Sequence, residues 1–115
     1  MRQRRRSLAE RPRLFASYLE ALRGSLGDRA SIILFGGRAA VGPWRDEPRD
    51  YDLAIVVPDD VDLEEVEELA RRLRPRGLPV DIVVLHLSQL RDPLIRQMLS
   101  RRLVLHDPLG VEELL

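Results

Sequence analysis

Apolar and polar positions along the chain fall into segments of two periods. Leu14, Phe15, Tyr18, Leu19, Leu22 and Leu26 recur on one face at a 3.6-residue period, which predicts a helix. Pro12 suits its first turn, and Gly24 or Gly27 its end. Arg2 to Arg6 lie before it and read as part of a flexible basic tail over residues 1–7. Ser31-Ile32-Ile33-Leu34-Phe35 is instead a continuous apolar run closed by Gly36-Gly37, the pattern of a strand buried on both faces. A polar, Pro-containing loop from Gly42 to Arg49 leads to a second such strand, Tyr51 to Val57, stopped by Pro58-Asp59-Asp60.

The next helix is the best specified. Leu63, Val66, Leu69, Ala70 and Leu73 form its stripe, and Asp62 with Glu65 has capping-box spacing. Glu64, Glu65, Glu67 and Glu68 lie toward its start and Arg71, Arg72 and Arg74 toward its end, as the helix dipole favours. Pro75 and Gly77 end it. Val80 to Leu85 is a third strand, Asp92-Pro93 opens a short helix with Leu94, Ile95, Met98 and Leu99, and Arg102 to His106 is a fourth strand. Val111 to Leu115 reads as a fraying turn. The alternation predicts a single small α/β (α+β) domain over residues 1–115, a mixed sheet of about four strands flanked by helices.

Composition narrows the chemistry. The 115 residues carry 19 arginines and 19 acidic groups, so net charge is zero and a nucleic-acid coat is disfavoured. There is no Cys, which excludes disulfides, thiol nucleophiles and cysteine metal sites, and two His make a His-rich site improbable. A carboxylate site for a hard metal stays open. No apolar run approaches a membrane span and no leader pattern is present, so a cytoplasmic protein is expected.

Three features could carry chemistry. Gly36-Gly37-Arg38, directly after a buried strand, exposes backbone N–H groups with no side chain in the way, and Arg38 adds a cation. The same residues also suit a plain tight turn. Asp50 and Asp52 flank Tyr51 on one strand, so they share a face roughly 6 to 7 Å apart at Cα. They read either as a mount for two divalent cations or as solvent-facing acids. Asp81 interrupts an apolar strand and needs a partner, either an Arg or a metal. If its strand lies beside Asp52, like charges about 4 Å apart cost on the order of 4 kcal/mol per pair.

A strand, Gly36-Gly37, a short helix and Gly42, then Asp50-x-Asp52-Leu53, then an isolated strand Asp81: this succession resembles the polymerase-β-like nucleotidyltransferases, above all the minimal (MNT) members of about this length. The motifs lie between Ile32 and Leu85, and the element order matches over nearly the whole chain. The resemblance implies that fold, and nucleotidyl transfer, most plausibly of AMP from ATP, with two Mg²⁺ ions. It implies Asp50 and Asp52 as ligands of both metals and Asp81 as ligand of the catalytic metal and base for the acceptor hydroxyl. Gly36 and Gly37 N–H groups with Arg38 would hold the β- and γ-phosphates. It also implies a partner, a helical HEPN-domain toxin whose tyrosine receives AMP, with this chain as antitoxin. Two positions depart from the family pattern, Gly37 and Arg49 each standing where Ser is common.

An alternative from another class is a module of the same fold that neutralises its partner by occlusion alone. Trp44 reads as a loop-anchoring hydrophobe, with base stacking the sharper option; His86 and His106 read as structural or surface residues, Tyr18 and Tyr51 as core aromatics. Assembly with itself or with a partner stays open.

Overall fold

The computed structural model describes residues 2–45 and 50–115, with side chains from Glu10 onward. In chain order it holds helix α1 (Arg2–Leu26), β1 (Ser31–Phe35), α2 (Gly37–Val41), β2 (Tyr51–Val57), α3 (Leu63–Leu73), β3 (Val80–His86), α4 (Pro93–Met98) and β4 (Arg102–His106). Short 3₁₀ turns span Gly27–Arg29, Leu87–Arg91 and Val111–Leu114. The four strands form one mixed sheet in the order β3-β2-β1-β4. Strands β2 and β3 are parallel, joined by the α3 crossover, while β1 pairs antiparallel with β2 and with β4.

Continuous apolar runs in β1 and β2 are explained by the two cores they separate. Ile32, Leu34, Tyr51, Leu53 and Ile55 pack with Phe15, Tyr18 and Leu22 of α1 and Val66 and Ala70 of α3. Ile33, Ala54 and Val56 face the opposite way, onto Leu85, Leu90, Leu99 and Val111. Alternation along each strand therefore feeds both cores, and neither face is left for water. Tyr18 is in the core as expected, its hydroxyl donating to the Ala70 carbonyl, and its burial pushes its pKa up to about 12.

Helix α3 follows its sequence signals closely. The Asp62 carboxylate accepts from the Glu64 N–H at 2.9 Å, and Glu67 pairs with Arg71 at 3.1 Å. Among the described residues the return bond from Glu65 and the Glu68–Arg72 pair do not form. Helix α1 differs from expectation, because its backbone runs helical from Arg2 rather than from Pro12. Arg, Gln, Leu, Ala and Glu before Pro12 are good helix formers, so propensity carries the helix where no apolar stripe marks it. The side chains of residues 2–9 lie outside the described residues, as does Arg49.

Two structural clasps hold the C-terminal segment. Asp107 accepts from the Ser31 hydroxyl (2.9 Å) and from the N–H groups of Val111 (2.7 Å) and Glu112 (3.2 Å). His106 Nε2 meets the Gly27 carbonyl at 3.0 Å, and His86 Nε2 meets that of Val61 at 2.7 Å, so both histidines are structural. No described helix is long and apolar enough to cross a membrane.

Candidate active site

The register of β2 with β3 places Asp52 directly opposite Asp81. Neighbouring strands are about 4.8 Å apart, and paired residues of parallel strands share a face, so the two carboxylates stand side by side. Asp50 lies at the mouth of β2, exposed, just ahead of the first paired residue. Across the sheet the same row continues through Phe35 to Arg102. That arginine is engaged elsewhere: its guanidinium donates to both oxygens of Glu112 (2.9 and 3.3 Å) and to the Leu99 carbonyl (3.0 Å). None of the four ion pairs among the described residues involves Asp50, Asp52 or Asp81. Among the described residues the salt-bridged reading of Asp81 is therefore not realised. Asp52 is pushed above the usual carboxylate range, first by burial and then by the negative charges of Asp81 and Asp50.

The Gly36 turn packs against this pair. Gly36 has φ 75° and ψ −153°, a conformation essentially reserved for glycine. A Cβ there would stand 2.9 Å from Asp52 Oδ2, so the missing side chain is what keeps space open beside that oxygen. The expected cradle is only partly free. The Gly36 N–H donates to the Arg101 carbonyl at 3.1 Å, tying the turn to β4, whereas Gly37 opens α2 with an N–H that has no intrahelical acceptor.

Arg38 requires a correction of place. Its side chain does not stand at the turn's open side but is 1% exposed, on the α1 side of the sheet. The guanidinium lies over the Tyr51 ring, 4.2 Å from its centre, and donates to the Tyr51 hydroxyl at 2.6 Å. Tyr51 in turn donates to the Pro43 carbonyl (3.0 Å) and stacks on Phe15 with ring centres 4.3 Å apart. The aromatic box of Phe15 and Tyr51 draws the cation inward, through cation–π attraction and a charge-assisted hydrogen bond. Trp44 meets Phe15 edge-on at 5.7 Å yet stays 56% exposed, anchored on one side and open on the other.

The chemistry of this geometry is that of a hard divalent cation site. The donor chemistry fits: three carboxylates, no described cation paired with them, and clearance at Asp52 Oδ2. Convergence is incomplete, since among the described residues no three acidic or histidine side chains meet at one point. Asp52 and Asp81 are the assembled part; Asp50 must turn inward to join them. A separate hollow of about 410 Å³, between Pro58, Leu87, Leu90 and Leu114, lies at the far end of β2. Its one acidic lining residue, Asp59, is already bonded to the Ser88 N–H, and that hollow has no part in this site.

Comparison with solved structures finds this fold in a putative nucleotidyltransferase from Sulfolobus solfataricus, with a TM-score of 0.58 at 19% identity. The match covers 86% of this chain and 82% of that one. At that identity the likeness is one of fold, a four-strand mixed sheet flanked by helices. No protein-family model and no curated protein matches the sequence.

Proposed function

We propose that this chain is a Mg²⁺-dependent nucleotidyltransferase that moves a nucleoside monophosphate, AMP from ATP, onto a hydroxyl acceptor and releases pyrophosphate. The observation that carries the reading is the in-register Asp52–Asp81 pair, which has no ion-pair partner among the described residues while its neighbour across the row is bonded to Glu112. Such a pair is costly for folding alone and makes sense as a mount for a ligand's positive charge. Asp52 and Asp81, joined by Asp50, would hold Mg²⁺, which when bound neutralises the carboxylates and polarises the phosphoryl oxygens. Asp81, exposed on the edge strand, would take the proton of the acceptor hydroxyl. The hydroxyl oxygen then bonds to the α-phosphorus as the bond to the bridging oxygen of pyrophosphate breaks. Gly36 would leave room for a phosphate beside Asp52, and Gly37 would offer an amide.

The finer reading is that the acceptor is a tyrosine of a helical HEPN-domain toxin and the chain its antitoxin. Its support is the motif succession of Gly36-Gly37, Asp50-x-Asp52 and the strand Asp81. Incubation of the chain and a co-expressed HEPN protein with α-labelled ATP should put Mg²⁺-dependent label on that protein, lost with Asp52→Asn. Absence of label from both proteins would count against transfer.

A second reading, neutralisation by occlusion, draws on one observation: Arg38 is spent on Tyr51 and the Gly36 N–H on Arg101, which thins the phosphate cradle. It predicts that Asp52→Asn protects cells from the partner as well as the wild type does.

A further inference from the structure

On the α1 and α3 side of the sheet, the face away from the Asp52 carboxylate, lies a cleft of about 540 Å³ lined by Arg11, Arg71, Arg74, Arg76, Leu78 and Pro79. Four guanidinium groups and no carboxylate line it. Arg11 comes from α1 and the others from the end of α3 and the loop into β3, so the fold, not the sequence, assembles the cluster. Arg71 is paired with Glu67 at 3.1 Å, while Arg74 and Arg76 form no ion pair among the described residues. Nε and Nη1 of Arg11 are shielded from solvent and have no hydrogen-bond partner. The exposed guanidinium groups of Arg74 and Arg76 are the donors an acidic group entering the cleft would meet.

The position of the cleft suggests what it holds. Through Arg71 and Arg74 it continues into a groove of about 120 Å³ whose lining includes Glu67, Val80 and Asp81. The lining Val80 and Ile82 belong to the α1 and α3 face, so this groove reaches Asp81 from behind the β3 edge, whereas the Gly36 turn flanks Asp52 from the β1 side. Resting on the nucleotidyltransferase reading above, the acceptor hydroxyl therefore arrives over the β3 edge, past the arginines. We propose that the cleft docks an acidic peptide segment that flanks the acceptor hydroxyl of a protein substrate. Arginine forks match carboxylates with two parallel hydrogen bonds, which suits side-chain recognition. Single-stranded nucleic acid fits less well, because the lining offers no aromatic platform and the chain as a whole is neutral.

The test is fluorescence anisotropy at low salt with a labelled oligoglutamate peptide and, separately, a labelled oligouridylate of equal length. The peptide should bind the wild type more tightly than the oligouridylate does. Arg74→Glu with Arg76→Glu should weaken it several-fold, because two attractive charge pairs become repulsive ones. Arg91→Glu with Arg96→Glu, on the opposite side of the sheet, should leave it unchanged, which separates docking from general charge attraction. Loss of peptide binding in both double variants alike, insensitivity to the first, or tighter binding of oligouridylate would each overturn the proposal. Asp52→Asn should keep peptide binding. If it does while the wild type binds no ATP with Mg²⁺, the catalytic reading fails and the cleft stands; if ATP binds and the peptide does not, the reverse holds.

Discussion

Tyr51 and Asp52 are adjacent in the chain, lie on opposite faces of one sheet, and have surroundings that differ in kind. Tyr51 is fully buried, stacked on Phe15, capped by a guanidinium and bonded to a backbone carbonyl. Asp52 faces another carboxylate in register, and its nearest neighbour strand contributes a glycine turn with no side chain. A cation near β2 thus serves the neutral ring, while among the described residues the acidic pair has none. A sequence shaped for stability alone would gain by the opposite arrangement, so the difference separates the part of the molecule that holds the fold from the part that waits for a ligand.

The sharpest way to break that contrast is Asp81→Asn. Loss of a positioned base and ligand should lower transfer by about 10² to 10⁴-fold with the fold retained, read by label transfer and circular dichroism. On the Tyr51 side the expected effect is on stability. Phe15→Ala removes the ring that Tyr51 and Trp44 lean on, and should cost about 3–5 kcal/mol in urea unfolding. Gly36→Ala joins the two sides: the positive φ and the 2.9 Å approach to Asp52 predict both a drop in Mg²⁺-dependent nucleotide binding and a cost of about 1–3 kcal/mol. Arg38→Met should leave ATP affinity within about twofold, because the guanidinium faces the aromatic box; an Arg38 that held phosphate would lose at least about tenfold.

The smallest effect concerns pH. Burial pushes the Asp107 carboxyl up, but hydrogen bonds from Val111, Ser31, Glu112 and Gly110 outweigh it and hold its pKa below the ordinary value of 3.8. A depressed folded pKa stabilises the native state above 3.8, and that contribution is lost as pH falls through the folded value. Asp107→Asn should therefore lower the melting temperature at neutral pH and flatten the acid limb of the stability curve. Asp52 has the opposite sign. Its raised pKa means the native state loses stability as pH climbs above 3.8, so Asp52→Asn should melt no lower than the wild type at neutral pH without metal.

Much of this was legible in the sequence where one physical signal dominates. The strands Ser31–Phe35 and Tyr51–Val57 announce themselves because burial on both faces demands unbroken apolar runs. Asp81 stands out because an acid in such a run is hard to explain by packing. The turn Leu87–Arg91 was missed, since it rests on a local bond, the His86 N–H to Gln89 Oε1 at 2.8 Å, that leaves no periodic trace. The direction of Arg38 was equally hidden: its place after two glycines suggests exposure, and the aromatic residues that turn it inward, Phe15 and Tyr51, are distant in sequence or on the next strand. The arginine cleft joins position 11 to positions 71–76, and in a chain whose cations are all arginine no spacing singles it out.

Asp52 and Asp81, unpaired among the described residues, are proposed to receive metal-bound nucleotide. Calorimetric titration of ATP with and without Mg²⁺, on wild type and Asp52→Asn, tests that proposal without knowledge of the acceptor. Binding should need Mg²⁺ and disappear in the variant. Binding by the variant equal to that of the wild type, or no binding by a folded wild-type protein with its partner present, would contradict it.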